Sequence, residues 1–418
     1  MKNGFLVIVA CLCIGFDAIS QSRGCSTILP NAIQKAGLGY SGPGSKGFED
    51  WVEGLKSVHY DDSTVYQIPV VVHIIHNGEP IGTGRNIPDS RVVRQIQILN
   101  EDFRKIAGTP GSNTQPAGAD TKIQFVLSQR DPDGNPTNGI VRVQRSQAVW
   151  GLGDNDTLKS ISLWPEALYL NIWVCDLANN DIGYAQLPLC SAVPFSGNNV
   201  DVLPDGVVID YEVFGDNFLP NARFPAYNRG RTATHEIGHF LGLIHIWGDA
   251  SDCTGTDFCD DTPPQSGNSS RCPRGRFTCG NTNMIENYMD YTNDTCMNVF
   301  TNDQARRMRT VLINCDRRST LLSSPAAINP KSMARFKLEL YPNPARDKVT
   351  ISIPEPMRGK SFTASLVNAE GKKVFQEMFV PKPSQQQILL SLQLPKGMFT
   401  LKLSAETLAP ALGKLLIY

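Results

Sequence analysis

From Tyr66 to Ile75 the chain reads Tyr-Gln-Ile-Pro-Val-Val-Val-His-Ile-Ile, an almost unbroken apolar run of strand length that predicts a buried strand. Behind it Asp89-Ser90 offers a helix cap, and Val92, Val93, Ile96, Leu99, Phe103 and Ile106 recur at 3.6 residues per turn on one face. Lys122 to Gln129, Tyr169 to Val174 and Val207 to Tyr211 predict further strands, with a helix around Leu158 to Ile161. Strands alternating with helices predict an α/β (α+β) sheet domain.

The texture differs at both ends. Residues 21–56 are rich in Gly, Ser and Lys with little helix or strand period, as expected of a loosely structured latent leader. After Cys315, residues 319–335 are rich in Ser, Pro, Ala and Asn and predict a linker. From Phe336 short β-forming runs, namely Val349 to Ile353, Ala364 to Val367, Ile388 to Leu392 and Phe399 to Leu403, are punctuated by Gly and Pro. That pattern predicts a small all-β, immunoglobulin-like sandwich over 336–418.

At 418 residues, two folded units plus processing segments are the natural division. A net charge of -1 gives no footprint for nucleic acid. Residues 1–20 carry Lys2, the apolar run Phe5 to Phe16 and small residues at Ala18-Ile19-Ser20, so they read as an export signal. A lipoprotein box at Ile8-Val9-Ala10-Cys11 competes but falls inside the apolar run. No other stretch is long and apolar enough for a transmembrane segment.

Eleven cysteines become nine once Cys11 and Cys13 leave with the signal. In an oxidising compartment an odd count sets one thiol apart, and Cys25, isolated near the new N-terminus, is the candidate. Cys175, Cys190, Cys253, Cys259, Cys272, Cys279, Cys296 and Cys315 then remain for bridges.

The chain has six histidines, and three fall within His235-Glu236-Ile237-Gly238-His239-Phe240-Leu241-Gly242-Leu243-Ile244-His245. Residues i and i+4 share a helix face, so His235 and His239 can direct imidazoles at one metal ion. Gly242 tolerates the sharp turn that returns His245 as third ligand. Glu236, one step round the helix, is placed to act as general base on a water at the open coordination position. The bare five-residue motif occurs in ordinary helices, but Gly242 and His245 in register leave that explanation little room. His59, His73 and His76 lack such partners and receive no role.

The extended motif, with Asn287-Tyr288-Met289-Asp290-Tyr291 following it, resembles the metzincin clan, whose methionine turn Met289 would supply. Within the clan the chain is similar to the pappalysin family, through Gly183-Tyr184-Ala185-Gln186, Cys253 and Asp260-Asp261-Thr262-Pro263. The resemblance covers about Val65 to Arg318. It implies a metzincin-like catalytic domain over 57–318 with a mixed sheet and an active-site helix, and a zinc metalloendopeptidase acting on protein or peptide substrates. It further implies Tyr291 as donor to the oxyanion. A structural calcium would be held by side-chain oxygens of Asp257 and Thr262 and carbonyls of Thr256 and Asp260. It implies disulfides Cys253–Cys279 and Cys272–Cys296. Cys175 with Cys190 and Cys259 with Cys315 would complete the set, although sequence does not fix the pairing. Arg23-Gly24-Cys25 resembles the family's cysteine switch, a thiolate occupying the metal's open position until the leader is cut, with Lys56 a candidate cleavage point. Some relatives use an acidic residue just before the cysteine matching Cys296 to prefer a basic residue after the scissile bond. Thr295 stands there, with Asp294 one step earlier.

Finally, Leu340-Tyr341-Pro342-Asn343-Pro344, Asn368-Ala369-Glu370-Gly371-Lys372 and Gly397-Met398-Phe399-Thr400-Leu401 resemble a type IX (Por) secretion sorting domain. This implies outer-membrane secretion machinery as a partner and a secreted product, extracellular or attached to the cell surface. The composite expectation is a secreted zinc endopeptidase made as a zymogen. A catalytically silent metal-binding protein is the rival, and Glu236 argues against it, because binding alone needs only the histidines.

Overall fold

The structure, a computed structural model, describes residues 25, 42–58, 63–193, 204–218, 222–327, 338–353, 357–368, 372–382, 384–405 and 408–418. The expected export signal, Arg23 and His59 lie outside the described residues.

A six-stranded sheet organises the catalytic region. Its central strand β1 (Tyr66–His76) pairs in parallel with β2 (Ile123–Leu127) and then β3 (Ile140–Gln144) along one edge, and with β4 (Leu170–Cys175) on the other. Next to β4 lies β6 (Val207–Asp210), and the antiparallel β5 (Gly183–Ala185) ends the sheet, which makes it mixed. Ile68, Val70, Val72 and Ile74 face a core shared with helices α2 (Asp89–Phe103) and α4 (Arg231–Phe240). Val71 and Ile75 point the other way, into clusters built on Tyr169 and Ala326, and on Trp150, Trp173 and Leu158 of α3 (Asn155–Ser160). Burial on both faces is why the β1 sequence is nearly continuously apolar rather than alternating.

Helix α2 departs from the expected face in two places. Val93 is 43% and Ile106 41% exposed, because Val92, Ile96, Leu99 and Phe103 already fill the core-facing stripe and the helix stops at Phe103. Its N-cap is Pro88, with no side-chain cap, and Asp89 instead pairs with Arg142 at 2.6 Å. Strands β3 and β5 carried too weak a pattern to be expected. The same holds for helix α5 (Asn302–Asn314), whose Thr301–Gln304 capping box closes its first turn.

Within the expected leader, residues 42–56 are more ordered than their composition implied. Helix α1 (Lys46–Gly54) starts where Ser45 Oγ accepts from Phe48 N–H, and Phe48 and Val52, one turn apart, are buried against Val193, Val311 and the Cys190–Cys315 pair. Nine residues are too few for an isolated helix, so this tertiary contact sustains it. The expected linker is also displaced. After α6 (Asp316–Ser319), two 3₁₀ turns over Thr320–Ser323 and Pro325–Ala327 keep the chain on the sheet domain: Leu321 enters its core, and Gln129 N–H donates to Ala326 O at 2.8 Å.

A short antiparallel pair, β7 (Phe277–Thr278) and β8 (Asn281–Thr282), follows the third histidine, and the C-terminal region is a two-sheet sandwich. One sheet orders β13 (Gln387–Ser391), β10 (Lys348–Ser352) and β9 (Leu340–Tyr341). The other orders β12 (Lys373–Phe379), β11 (Phe362–Val367), β14 (Gly397–Ala405) and β15 (Leu408–Ile417), all antiparallel. Val349, Ile351 and Leu390 meet Leu366, Leu401 and Leu415 between them. Strands β12 and β15 escaped the sequence reading, β12 because its side chains are mostly half-buried or exposed.

Candidate active site

Helix α4 is buried along its whole length, so each polar group on it has to be satisfied internally. Its N-cap is Gly230 at φ 71°, which supplies no capping oxygen. The Asp294 carboxylate substitutes, accepting from Arg229 N–H at 2.9 Å and Arg231 N–H at 3.2 Å. Asp294 therefore holds the start of the helix. Thr234 Oγ1 donates to Asp102 on α2 at 2.8 Å, and Arg231 pairs with the same carboxylate at 3.2 Å. Burial pushes the Asp102 carboxyl up to about 6 even though Arg231 opposes it.

Gly242 takes φ 92°, a conformation that favours glycine, and the chain turns so that His245 faces the helix. The Nε2 of His239 lies 3.1 Å from the Nε2 of His235 and 3.1 Å from that of His245. Cys25 Sγ stands 3.6 Å from His239 Nε2, and the four potential ligand atoms all lie within 4.8 Å of one another. A tetrahedral zinc with bonds of about 2.0–2.1 Å to nitrogen and 2.3 Å to sulfur requires edges of about 3.3–3.4 Å and 3.5–3.6 Å, so the observed spacing fits one ion.

The far nitrogens decide which lone pairs converge. Nδ1 of His235 faces Tyr288 O at 2.7 Å, and Nδ1 of His239 faces Leu243 O at 2.9 Å. A carbonyl only accepts, so these nitrogens carry the proton and each Nε2 presents a lone pair inward. His245 Nδ1 meets Asp249 Oδ1 at 2.6 Å, a carboxylate that orients the third ring. Burial, and next the charge of His245, hold His239 well below the ordinary imidazole range, which keeps it in the neutral form a metal needs.

Surrounding residues fix the rings. Trp247 stacks on His245 with centroids 4.3 Å apart and meets Tyr291 edge-on at 4.8 Å. Tyr291 also borders His245 at 4.9 Å, and its hydroxyl donates to Cys25 O at 3.4 Å. Burial, with Cys25 and Glu236 nearby, raises its phenol above the usual range. Met289 is fully buried under the helix, and a Cβ at Gly238 would come within 2.6 Å of its Sδ. Glu236 is fully buried beside β5, where a Cβ on Gly183 would lie 3.0 Å from Glu236 Cγ. Cys25 forms an isolated parallel bridge with that same Gly183, which places its backbone against the β5 edge beside Glu236.

The structure gathers His235, Glu236, His239, His245, Met289, Tyr291 and Cys25 at one place. The loop after His245 holds Asp257 buried, its Oδ1 accepting from Thr262 Oγ1 at 2.7 Å and from Cys259 N–H at 3.2 Å. Asp257 Oδ2 is buried with no hydrogen-bond partner among the described residues. The Asp260 side chain turns outward to Lys56 at 3.1 Å. Disulfides join Cys253 to Cys279 and Cys272 to Cys296. The expected Cys175–Cys190 and Cys259–Cys315 bridges do not form: Cys190 pairs with Cys315, leaving Cys175 and Cys259 as buried thiols. Cys175 ends the central strand β4, whereas Cys190 and Cys315 meet where α1 packs on α5, an adjacency no spacing reveals.

Sequence reasoning missed Asp249 and Trp247, and it named Asp294 only beside the substrate-preference position and Gly183 only within a family phrase, not as the helix cap and the neighbour of Glu236. Only Asp249 left a local signal, four residues after the last histidine of the motif.

A helix-borne histidine pair, a third histidine after a glycine turn and a carboxylate between them define a metallopeptidase class of site. Comparison with known proteins agrees. The pregnancy-associated plasma protein-A family matches residues 154–313, and the secretion system C-terminal sorting domain matches 339–417. The structure of mature mirolysin of Tannerella forsythia in complex with a cleaved peptide is 39% identical, with 63% of this chain and 97% of that one covered at a TM-score of 0.55. Promirolysin from the same organism is 38% identical over 66% of this chain and 91% of that one, TM-score 0.57. An extracellular metalloprotease of Arthroderma otae is 28% identical over 69% of this chain and 90% of its own length. The chain belongs to the pappalysin family of metalloproteases and carries a C-terminal secretion sorting domain, which marks it as a secreted protein.

Proposed function

We propose that this chain is a zinc-dependent endopeptidase stored as a zymogen, with His235, His239 and His245 as metal ligands and Cys25 as the thiol that closes the fourth position. The observation that carries this reading is the convergence of three Nε2 atoms, those of His235 and His245 each 3.1 Å from that of His239 and each ring held by an oxygen on Nδ1, with the Cys25 sulfur 3.6 Å from His239 and all four atoms within 4.8 Å of one another.

Zinc bound there would polarise a peptide carbonyl and lower the pKa of a water toward about 7. Glu236 would take that water's proton and return it to the departing amine. Tyr291, once Cys25 and its carbonyl withdraw, would offer its hydroxyl to the developing oxyanion. The edge strand β5, bridged at Gly183 by Cys25, would hold substrate backbone extended along it. Cleavage near Lys56 would release residues 21–56, and the sandwich would serve the outer-membrane secretion machinery.

A calcium ion in the loop after His245 fits the same reading. Burial pushes the Asp257 carboxyl up to about 7, and its second oxygen lacks a protein partner among the described residues, which suits a hard cation beside Thr262 and the Thr256 and Asp260 carbonyls. The Asp260 side chain is occupied by Lys56 and takes no part.

The deciding experiment compares leader-free protein with its Glu236→Ala variant on casein, with metal content measured on both. Stoichiometric zinc in both and cleavage by the parent alone is the expected result. Equal cleavage by the two would remove Glu236 as base, and a parent without metal would remove the histidine site.

A further inference from the structure

Two buried arginines hold the C-terminal end of the histidine helix, where the last carbonyls have no intrahelical donor. Arg318 donates from Nε to Phe240 O at 2.8 Å, with its guanidinium 3.5 Å from the Phe240 ring centroid. Arg307 donates from Nε to Gly242 O at 2.8 Å, at the turn between His239 and His245. Their side chains are 0% and 1% exposed. A guanidinium so sealed from water requires a carboxylate partner.

The two arginines obtain that partner from different places. Arg318 is paired with Asp205, which precedes β6 in the same sheet domain. Arg307 is gripped by Glu49 of α1, whose two oxygens accept from the guanidinium fork at 2.5 and 2.7 Å, with the Phe48 ring 5.5 Å from the same cation. One counter-ion is permanent; the other sits within α1 (Lys46–Gly54), in the leader that our reading has removed.

We propose that Arg307 is a positioning residue for His245 and that Glu49 is a second latch of the leader, so that the segment which blocks the site also supplies the charge that steadies it. The inference rests on the zinc and leader-removal reading above. While α1 stays docked, the guanidinium is fixed on two edges and holds the Gly242 carbonyl; docking also keeps the Cys25 segment tethered at high effective concentration over the histidines. Once α1 leaves, Arg307 loses its bidentate carboxylate and keeps the Gly242 edge and the more distant charge of Asp257, and release of the thiol and loosening of the turn occur together.

The test uses the full chain in a Glu236→Gln background to suppress self-cleavage, and follows zinc transfer to a colorimetric chelator. Glu49→Gln is expected to release zinc at least about tenfold faster than its parent, because a buried cation loses its partner and α1 undocks more often. Glu49→Asp, which keeps the charge on a shorter arm, should fall between the two and serves in place of Glu49→Gln if that variant does not fold. With Glu236 restored, processed enzyme made from the Glu49→Gln chain should match wild-type kcat/KM, since residue 49 is gone. Processed Arg307→Lys should release zinc faster and lose kcat with little change in KM. Zinc release from Glu49→Gln within twofold of the parent, or from Glu49→Asp where Glu49→Gln does not fold, overturns the latch. Processed Arg307→Lys that holds zinc like wild type overturns the positioning role. A parent chain purified without stoichiometric zinc sinks the metal-site reading, and this inference with it, and is recognisable because no variant is needed to see it.

Discussion

The histidine end of the sheet domain and the C-terminal sandwich treat buried polar groups in opposite ways. Around α4 the interior contains His235, Glu236, His239, His245, Asp102, Arg231, Asp294, Arg307 and Arg318, each buried. In the sandwich the buried set is Val349, Ile351, Leu366, Leu390, Leu401, Leu415 and their like, and Ser365 is the one buried polar residue among those described. The first region gives up apolar burial to fix donors and acceptors in place, a costly arrangement that suits pre-organised chemistry. The second gives no sign of chemistry in its core, and its stability comes from area removed from water. The lesson is that the two regions should fail differently when altered.

The largest expected effect separates chemistry from folding. Glu236→Gln should lower kcat/KM of the processed enzyme by roughly 10²–10⁴-fold with zinc content and melting temperature little changed. A loss of metal instead would show that Glu236 holds the site together rather than moving a proton. In the sandwich, Leu401→Ala should destabilise that domain by about 2–5 kcal/mol, because Leu401 is fully buried between the sheets. Peptidase kcat/KM should not move, and a parallel loss of activity would break the contrast between the regions.

Next comes the hydrogen bond behind a ligand. Asp249→Asn should weaken zinc affinity or activity by roughly 10–100-fold, measured by chelator competition, since the carboxylate 2.6 Å from His245 Nδ1 orients that ring. The smallest effect tests packing beneath the site. Gly238→Ala would put a Cβ within 2.6 Å of Met289 Sδ and should cost about 1–3 kcal/mol by thermal unfolding. Pairing it with Met289→Ala, which vacates that space, should recover part of the loss, and no recovery would mean that the sulfur is not what excludes a side chain there.

Much of the site was legible because its geometry is local. His235 and His239 share a helix face by spacing alone, and Gly242 marks the turn that its φ of 92° then requires. Strands β1, β4 and β6 were readable because parallel strands buried on two faces are continuously apolar. Helix α1 was not, because its nine residues acquire a buried face only against Val311 and Cys315, far along the chain. The stretch 319–327 reads as a linker by composition, yet the Leu321 and Ala326 side chains are buried in the sheet domain.

What the sequence determined by itself was whatever depends on a helical or extended period over a few residues: the histidine helix, the turn after it, the alternation of strands and helices, and the all-β character of the C-terminal region. What only the tertiary structure decided was every pairing between distant positions. Cys190 meets Cys315, Asp294 caps a helix that starts 63 residues earlier, and Glu49 crosses 258 residues to reach Arg307. Contacts of that kind leave no period in the chain, since they are fixed by which surfaces the core brings together, and one residue's identity carries no record of its partner.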